Sequence, residues 1–182
     1  HSAMKNVGPV RKEMGERTIF NILGPLTNPA NASRQLLGVY DKELVEKLAE
    51  VLANLGVIRG MSVCGSDGLD EITVTGPTYC CEIKDGELTS YEITPEQFGL
   101  STYPLAELVG GTPEENAQIT KDILSGTLKG AKRDVVLMNA GIGIYLGSEN
   151  LTMEEGIKKA EELINSGKAY EKMEEFVKAT QQ

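Results

Sequence analysis

From residue 41 to 55 the apolar positions Leu44, Val45, Leu48, Ala49, Leu52 and Leu55 recur on one helical face, with Glu43, Glu46, Lys47 and Glu50 opposite. That 3.6-residue period predicts an amphipathic helix lying on a sheet. DVVLMNAGIGIYLG, residues 134–147, is apolar on nearly every side and predicts a helix surrounded by protein. Apolar runs bounded by turn residues predict strands near 34–40, 59–64, 78–84 and 87–93. Helices are expected near 3–14, 18–23, 41–55, 113–125, 133–146, 153–166 and 168–178. Thr112-Pro113-Glu114-Glu115, Thr94-Pro95-Glu96-Gln97, and Thr152 with Glu155 each read as a helix start, a capping hydroxyl followed three residues later by Glu or Gln. The alternation predicts one α/β domain, a central mostly parallel or mixed sheet flanked by helices.

At 182 residues and 40% hydrophobic content, the chain falls within the roughly 100–200 residues of a usual single domain. No stretch approaches the roughly 18 apolar residues of a membrane span, and no charged-then-apolar leader precedes a cleavage site. The expectation is a cytoplasmic protein with no membrane partner, in which the N-X-S/T triplets at Asn31 and Asn150 carry no glycan. Cys64, Cys80 and Cys81 form no C-x-x-C pair, and adjacent strand residues point to opposite faces, so they are expected to be reduced packing residues. The chain opens HSAMK without an initiator Met, in what reads as the middle of a helical segment, which suggests a fragment. Charge is uneven: through Gly60 there are eight Lys/Arg against six Asp/Glu, and thereafter ten against twenty-one, for a net −9. Anions are therefore expected near the front. The acidic bulk and 5% aromatic content argue against a nucleic-acid partner.

Several candidate chemistries are weak on context. Gly141, Gly143 and Gly147 lack the strand before and helix after that a dinucleotide loop needs, and read instead as sites of close helix packing. His1, the sole histidine, has no Ser or Cys with an orienting third group nearby, so no nucleophilic triad assembles. In GSDGLDE the carboxylates of Asp67, Asp70 and Glu71 follow the strand ending at Gly65. Ligands collect beyond the carboxyl ends of strands in open α/β sheets, and hard oxygen donors suit Mg²⁺. The same residues are also what a solvated turn uses. Among Lys5, Arg11, Lys12 and Arg17, Arg11 lies beside Val7 and Pro9-Val10 on the more apolar side. A guanidinium pointing inward there would fork onto a carboxylate or phosphate; a solvated helix surface accounts for the same residues.

RTIFNILGPLTNPA, residues 17–30, packs apolar residues around Asn21, Gly24, Pro25, Asn28 and Pro29, which fits either a loop over a core or a wall for a flat substrate. Together with H-x-A-M-K, P-V-R-K-x-x-G-x-R-T-I-F-N-I-L-G-P-L-T-N-P, RQLLGVYD and GLDEIT in order, it resembles the C-terminal part of the anthranilate phosphoribosyltransferases, along essentially the entire chain. The resemblance implies the catalytic-domain portion of the nucleoside phosphorylase/phosphoribosyltransferase fold. It implies that Arg11 contacts the anthranilate carboxylate, that the Gly24-Pro25 turn lines the anthranilate pocket, and that Asp70 and Glu71 bind the Mg²⁺ accompanying phosphoribosyl pyrophosphate.

The implied reaction is attack of the anthranilate amine on the anomeric carbon with loss of pyrophosphate, a step of tryptophan biosynthesis. The family's subunit also carries an N-terminal helical domain, through which it dimerises, and a Gly-rich phosphoribosyl pyrophosphate loop. Neither occurs in these 182 residues, so the chain alone is expected to be inactive. The alternatives are a phosphoribosyltransferase or nucleoside phosphorylase for another acceptor, and a non-catalytic binding relative.

Overall fold

The computed structural model describes residues 4–16 and 18–181, without the side chains of Met4 and Arg11; His1 and Arg17 lie outside the described residues. The chain forms two compact units, residues 1–31 and 32–182. The first holds helix α1 (Met4–Met14), a 3-10 turn (Ile19–Asn21) and the one-turn helix α2 (Leu23–Leu26). The Gly24-Pro25 pair, expected as a turn, thus lies inside a helix. Pro25 falls in the first helical turn, where its missing N–H costs no intrahelical bond, and the Thr27 hydroxyl donates to Leu23 O at 2.9 Å as the helix ends.

The second unit is built on four strands in the order β1-β2-β3-β4: β1 Arg34–Gly38, β2 Arg59–Gly65, β3 Thr78–Lys84 and β4 Glu87–Ile93. Only β1 and β2 pair in parallel; β2/β3 and β3/β4 are antiparallel. The sheet is therefore mixed, the second of the two arrangements expected. The physical reason is connection length: α3 (Val45–Asn54) carries the crossover that parallel pairing requires, while Asp85-Gly86 joins β3 to β4 directly. Both turn residues have positive φ, 53° and 82°, the conformation of a tight hairpin that suits Gly and tolerates Asp.

Helix α3 covers one face of β2 and β3 with Val45, Leu48, Ala49 and Leu52, all buried. Each large aliphatic side chain among them contributes about 1.5–3 kcal/mol by leaving water. Leu55, expected on this face, is 60% exposed because the helix stops at Asn54 and the chain turns away at Gly56, φ 94°. On the other face lies α5 (Ala131–Gly147), the helix expected to be enclosed. Met138, Ile142, Tyr145 and Leu146 pack on Met61, Val63, Ile72, Val74 and Cys80 of the sheet and its following loop. Leu137 turns the other way, onto Ile157, Ala160 and Ile164 of α6 (Met153–Asn165).

Helices α4 (Pro113–Leu124) and α7 (Lys168–Thr180) complete the unit. The capping boxes form as read: Thr152 Oγ1 accepts from Glu155 N at 3.2 Å, while Glu155 Oε2 accepts from Thr152 N at 2.8 Å. The Thr94 start leads only to a 3-10 turn, Pro95–Phe98, which Gly99 ends at φ 73°.

All three cysteines are free and buried. Cys80 belongs to the core beneath α5, whereas Cys81 faces Glu46 and Ser90. Burial, with the nearby Glu82 and other acidic groups, pushes the Cys80 thiol up to about 12. These are packing residues rather than nucleophiles.

Of the three glycines in GIGIYLG, one has the packing role expected of them. A Cβ on Gly141 would come within 2.4 Å of Ile157 Cα, and one on Gly156 within 2.3 Å of Gly141 O, so two glycines let α5 and α6 meet backbone to backbone. Nothing stands within 4 Å of a Cβ at Gly143 or Gly147. Gly141→Ala is therefore expected to destabilise by about 1–3 kcal/mol through overpacking. Gly143→Ala, two residues on, should stabilise by about 0.5–1 kcal/mol through helix propensity. Urea unfolding of both variants checks the opposite signs; a shift in the same direction would contradict the packing.

Candidate active site

Because β1 and β2 run parallel, their carboxyl ends emerge together, with Gly38 opposite Val63 and Val39 N donating to Val63 O at 2.8 Å. The segment from Gly65 to Thr78 leaves this edge and returns as β3. Its backbone is closely tied: Gly65 N donates to Leu69 O (2.9 Å), Gly68 N to Gly65 O (2.9 Å) and Ser66 N to Pro77 O (2.9 Å). It also passes directly over the end of β1, where a Cβ on Gly38 would lie 1.6 Å from Asp70 O. Only glycine admits that approach.

Asp67, a candidate ligand from the sequence, is used inside the loop. Its Oδ2 accepts from Thr73 Oγ1 and Thr75 Oγ1, both at 2.6 Å, and its Oδ1 from Leu69 N at 3.0 Å. Burial by itself would raise this carboxyl, but the hydrogen bonds from Thr73, Thr75 and the backbone outweigh it, and the net shift is downward. Asp70 and Glu71 differ. Both are exposed, and neither side chain makes a hydrogen bond or ion pair with a described residue. Partial desolvation, together with Asp70 and Asp67, raises the Glu71 carboxyl from its ordinary value. After desolvation, the charges of Asp41, Asp67 and Asp70 also raise Cys64 at the end of β2. The strand ends thus form a negative edge with two uncommitted carboxylates.

Among the described residues no three His, Cys, Asp or Glu side chains are grouped to hold a metal. Two adjacent hard-oxygen donors cannot cage Mg²⁺, which wants six ligands in near-octahedral order, but they fit an ion that keeps waters and shares substrate phosphates. Asp70 and Glu71 suit that role; Asp67 does not, because its oxygens are already used.

Arg11 lies in α1, and its side chain is outside the described residues. Gly24 and Pro25 are exposed in α2. These three belong to the first unit and Asp70 and Glu71 to the second.

Sequence reading missed Asn139, whose side chain grips Ile72 beside the acidic pair. A signal existed: it is the one amide within an otherwise apolar helix segment, and half-buried amides need partners. It also missed the buried polar group at the other end of β2. There Glu82 accepts from Tyr145 at 2.6 Å and Tyr91 at 2.7 Å, and Arg59 stacks on Tyr145 with its guanidinium carbon 4.5 Å from the ring centroid. A cleft of about 830 Å³ borders this group, at the opposite end of the strand from Asp70.

The lowered Asp67 carboxyl has a defined consequence for stability. Its contribution is present above the unfolded value near 3.8 and is lost as pH falls through the lower folded value. The stability gap between the wild type and Asp67→Asn should therefore be constant at neutral pH and narrow below pH 3.8, measured by denaturant unfolding across pH. A gap that persists unchanged into acid would show that the ionised carboxylate is not what Thr73 and Thr75 hold.

The family described as "Glycosyl transferase family, a/b domain" matches residues 1–170. Over 180 residues the chain is 54% identical to the anthranilate phosphoribosyltransferase of Endomicrobium trichonymphae, covering 99% of this chain and 53% of that protein. Over 177 residues it is 53% identical to that of Clostridium kluyveri, covering 97% and 52%. Among solved structures, the anthranilate phosphoribosyltransferase from Thermus thermophilus superimposes with a TM-score of 0.89 at 44% identity, over 97% of this chain and 52% of that one. The enzyme from Saccharomyces cerevisiae in complex with PRPP and Mg gives 0.88 at 35%, over 98% and 51%. The chain spans about half the length of the curated relatives it matches. With a negative strand-end edge on a mixed sheet and a family match over nearly its full length, the chain belongs to the glycosyl transferase family that this a/b domain defines.

Proposed function

We propose that this chain is the C-terminal portion of an anthranilate phosphoribosyltransferase, which transfers phosphoribosyl from phosphoribosyl pyrophosphate to the anthranilate amine. The observation that carries the reading is the exposed, uncommitted Asp70-Glu71 pair at the carboxyl ends of two parallel strands, in a chain 54% identical to such an enzyme. Asp70 and Glu71 would hold Mg²⁺, which when bound supplies charge neutralisation at the departing pyrophosphate and a template for it. Arg11 forks onto the anthranilate carboxylate. Gly24 and Pro25 form the wall against which the flat ring rests, which fits the otherwise puzzling mixture of apolar residues and helix-breakers in residues 17–30. In the reaction the amine nitrogen bonds to the anomeric carbon, the carbon–oxygen bond to pyrophosphate breaks, and the nitrogen loses a proton.

The protein's own contribution is positioning and electrostatics, with no covalent intermediate. Such a role agrees with a chain whose three thiols are buried and raised. The same reading places the enzyme in the tryptophan pathway, in the cytoplasm, as a homodimer with neither nucleic acid nor membrane as partner. No helix among the described residues is long and apolar enough to cross a membrane.

The test is steady-state kinetics of the full-length protein that carries this chain, followed by the loss of anthranilate fluorescence. Arg11→Ala should lower kcat/KM for anthranilate about 10- to 100-fold, the worth of a hydrogen bond to a charged group. It should leave KM for phosphoribosyl pyrophosphate nearly unchanged, whereas Glu71→Gln should do the reverse. Equal losses for both substrates would refute these assignments, and turnover with a pyrimidine acceptor instead would favour the nucleoside phosphorylase alternative. The 182-residue polypeptide by itself should show no transfer, since it carries no Gly-rich phosphate loop in its sequence; clear turnover would overturn that expectation.

A further inference from the structure

We infer that Asn139 and Asp67 are positioning residues for the metal-linked pyrophosphate site. They fix the backbone on either side of Asp70 and Glu71, so that the two carboxylates are presented in a set geometry. The inference rests on the functional reading above for what the acidic pair binds, but its own basis is the hydrogen bonding of the 65–78 segment.

Asn139 lies on α5, the helix packed beneath the sheet. Its Oδ1 accepts from Ile72 N at 3.0 Å, and its Nδ2 donates to Ile72 O at 2.7 Å and to Val135 O at 2.9 Å. One amide therefore satisfies both backbone groups of the residue following Glu71, while the bond to Val135, one turn earlier, fixes its own orientation. The complementary pattern of donors and acceptors leaves the amide one arrangement. Ile72 is itself fully buried, so neither of its backbone groups has water as a ready substitute.

On the other side, Asp67 gathers Thr73, Thr75 and Leu69 N around one carboxylate. Thr73 N in turn donates to Thr78 Oγ1 at 3.0 Å, which ties the loop to the first residue of β3. Asp70 and Glu71 sit between these two anchors with no side-chain partners among the described residues. Their backbone is thus held at Leu69 on one side and Ile72 on the other, and their carboxylates are uncommitted, as a site that shares its ion with a substrate requires. Side chains that hold ligating groups from behind commonly contribute about 10- to 100-fold in metal affinity when lost.

The test uses the full-length protein and titration calorimetry with magnesium pyrophosphate, so that it does not depend on turnover. Asn139→Ala and Asp67→Asn should each raise Kd about tenfold. They should also raise KM for phosphoribosyl pyrophosphate without changing KM for anthranilate. The control is Leu137→Ala, on the same helix but facing α6, which should lower stability by opening a cavity. If positioning is the cause, this control keeps Kd within about twofold of wild type, because lost stability alone does not move it. The inference is overturned if Asn139→Ala and Leu137→Ala bind magnesium pyrophosphate alike. If Asn139→Ala does not fold, Asp67→Asn decides on the same comparison. Loss of binding in Asp70→Asn and Glu71→Gln with no effect of either anchor overturns this inference alone. Wild-type protein that does not bind magnesium pyrophosphate removes the functional reading and this inference with it.

Discussion

The hydrogen bonds that Asn139 exchanges with Ile72 connect the core helix to the loop that carries Asp70 and Glu71 at the strand ends. Around that connection the rest of the second unit falls into place. The loop must cross the end of β1 to reach Asn139, and it crosses so closely that Gly38 has no room for a Cβ beside Asp70 O. It must then return as β3, antiparallel to β2, which is why the parallel pair is confined to one side of the sheet. Ile72 and Val74, fully buried in the same core as Met138 and Ile142, keep the descending half of the loop in contact with α5. Apolar burial supplies the holding energy and the polar bonds supply the register.

Asp67 and Glu71, only four residues apart, shift in opposite directions for this reason. Asp67 has its charge met by two hydroxyls and an amide, so it is lowered and belongs to the scaffold. Asp70 and Glu71 face outward with none, and Glu71 is raised by desolvation and by its neighbours. The Arg59–Tyr145–Glu82–Tyr91 group at the other end of β2 is the contrasting case: there both carboxylate oxygens of Glu82 accept from tyrosine hydroxyls, and Arg59 lies over the Tyr145 ring.

The hydrophobic pattern marked out most elements well. All four strands occur close to the stretches expected, because each is bounded by turn residues or by a helix cap, and the 41–55 periodicity yields the face of α3 that meets the sheet. Local patterns end where long-range pairing begins. Nothing in the four apolar runs distinguishes one parallel pair from three, since that depends on which connection is long enough to cross over. Nor does the Gly24-Pro25 pair reveal by itself that it forms the first turn of a short helix, because proline suits both that position and a turn.

By itself the sequence determined the α/β class, the enclosed α5, the capped helix starts, the reduced cysteines, and the motif set through which the family resemblance was read. These are local properties: period, composition and the order of short motifs. Tertiary structure alone decided which of three neighbouring carboxylates is tied up inside the loop, which of three glycines in one helix is needed for packing, and that Asn139 holds a loop 67 residues earlier in the chain. Each of those outcomes depends on atoms brought together across the sheet, and contacts between distant residues leave no period in the chain to read.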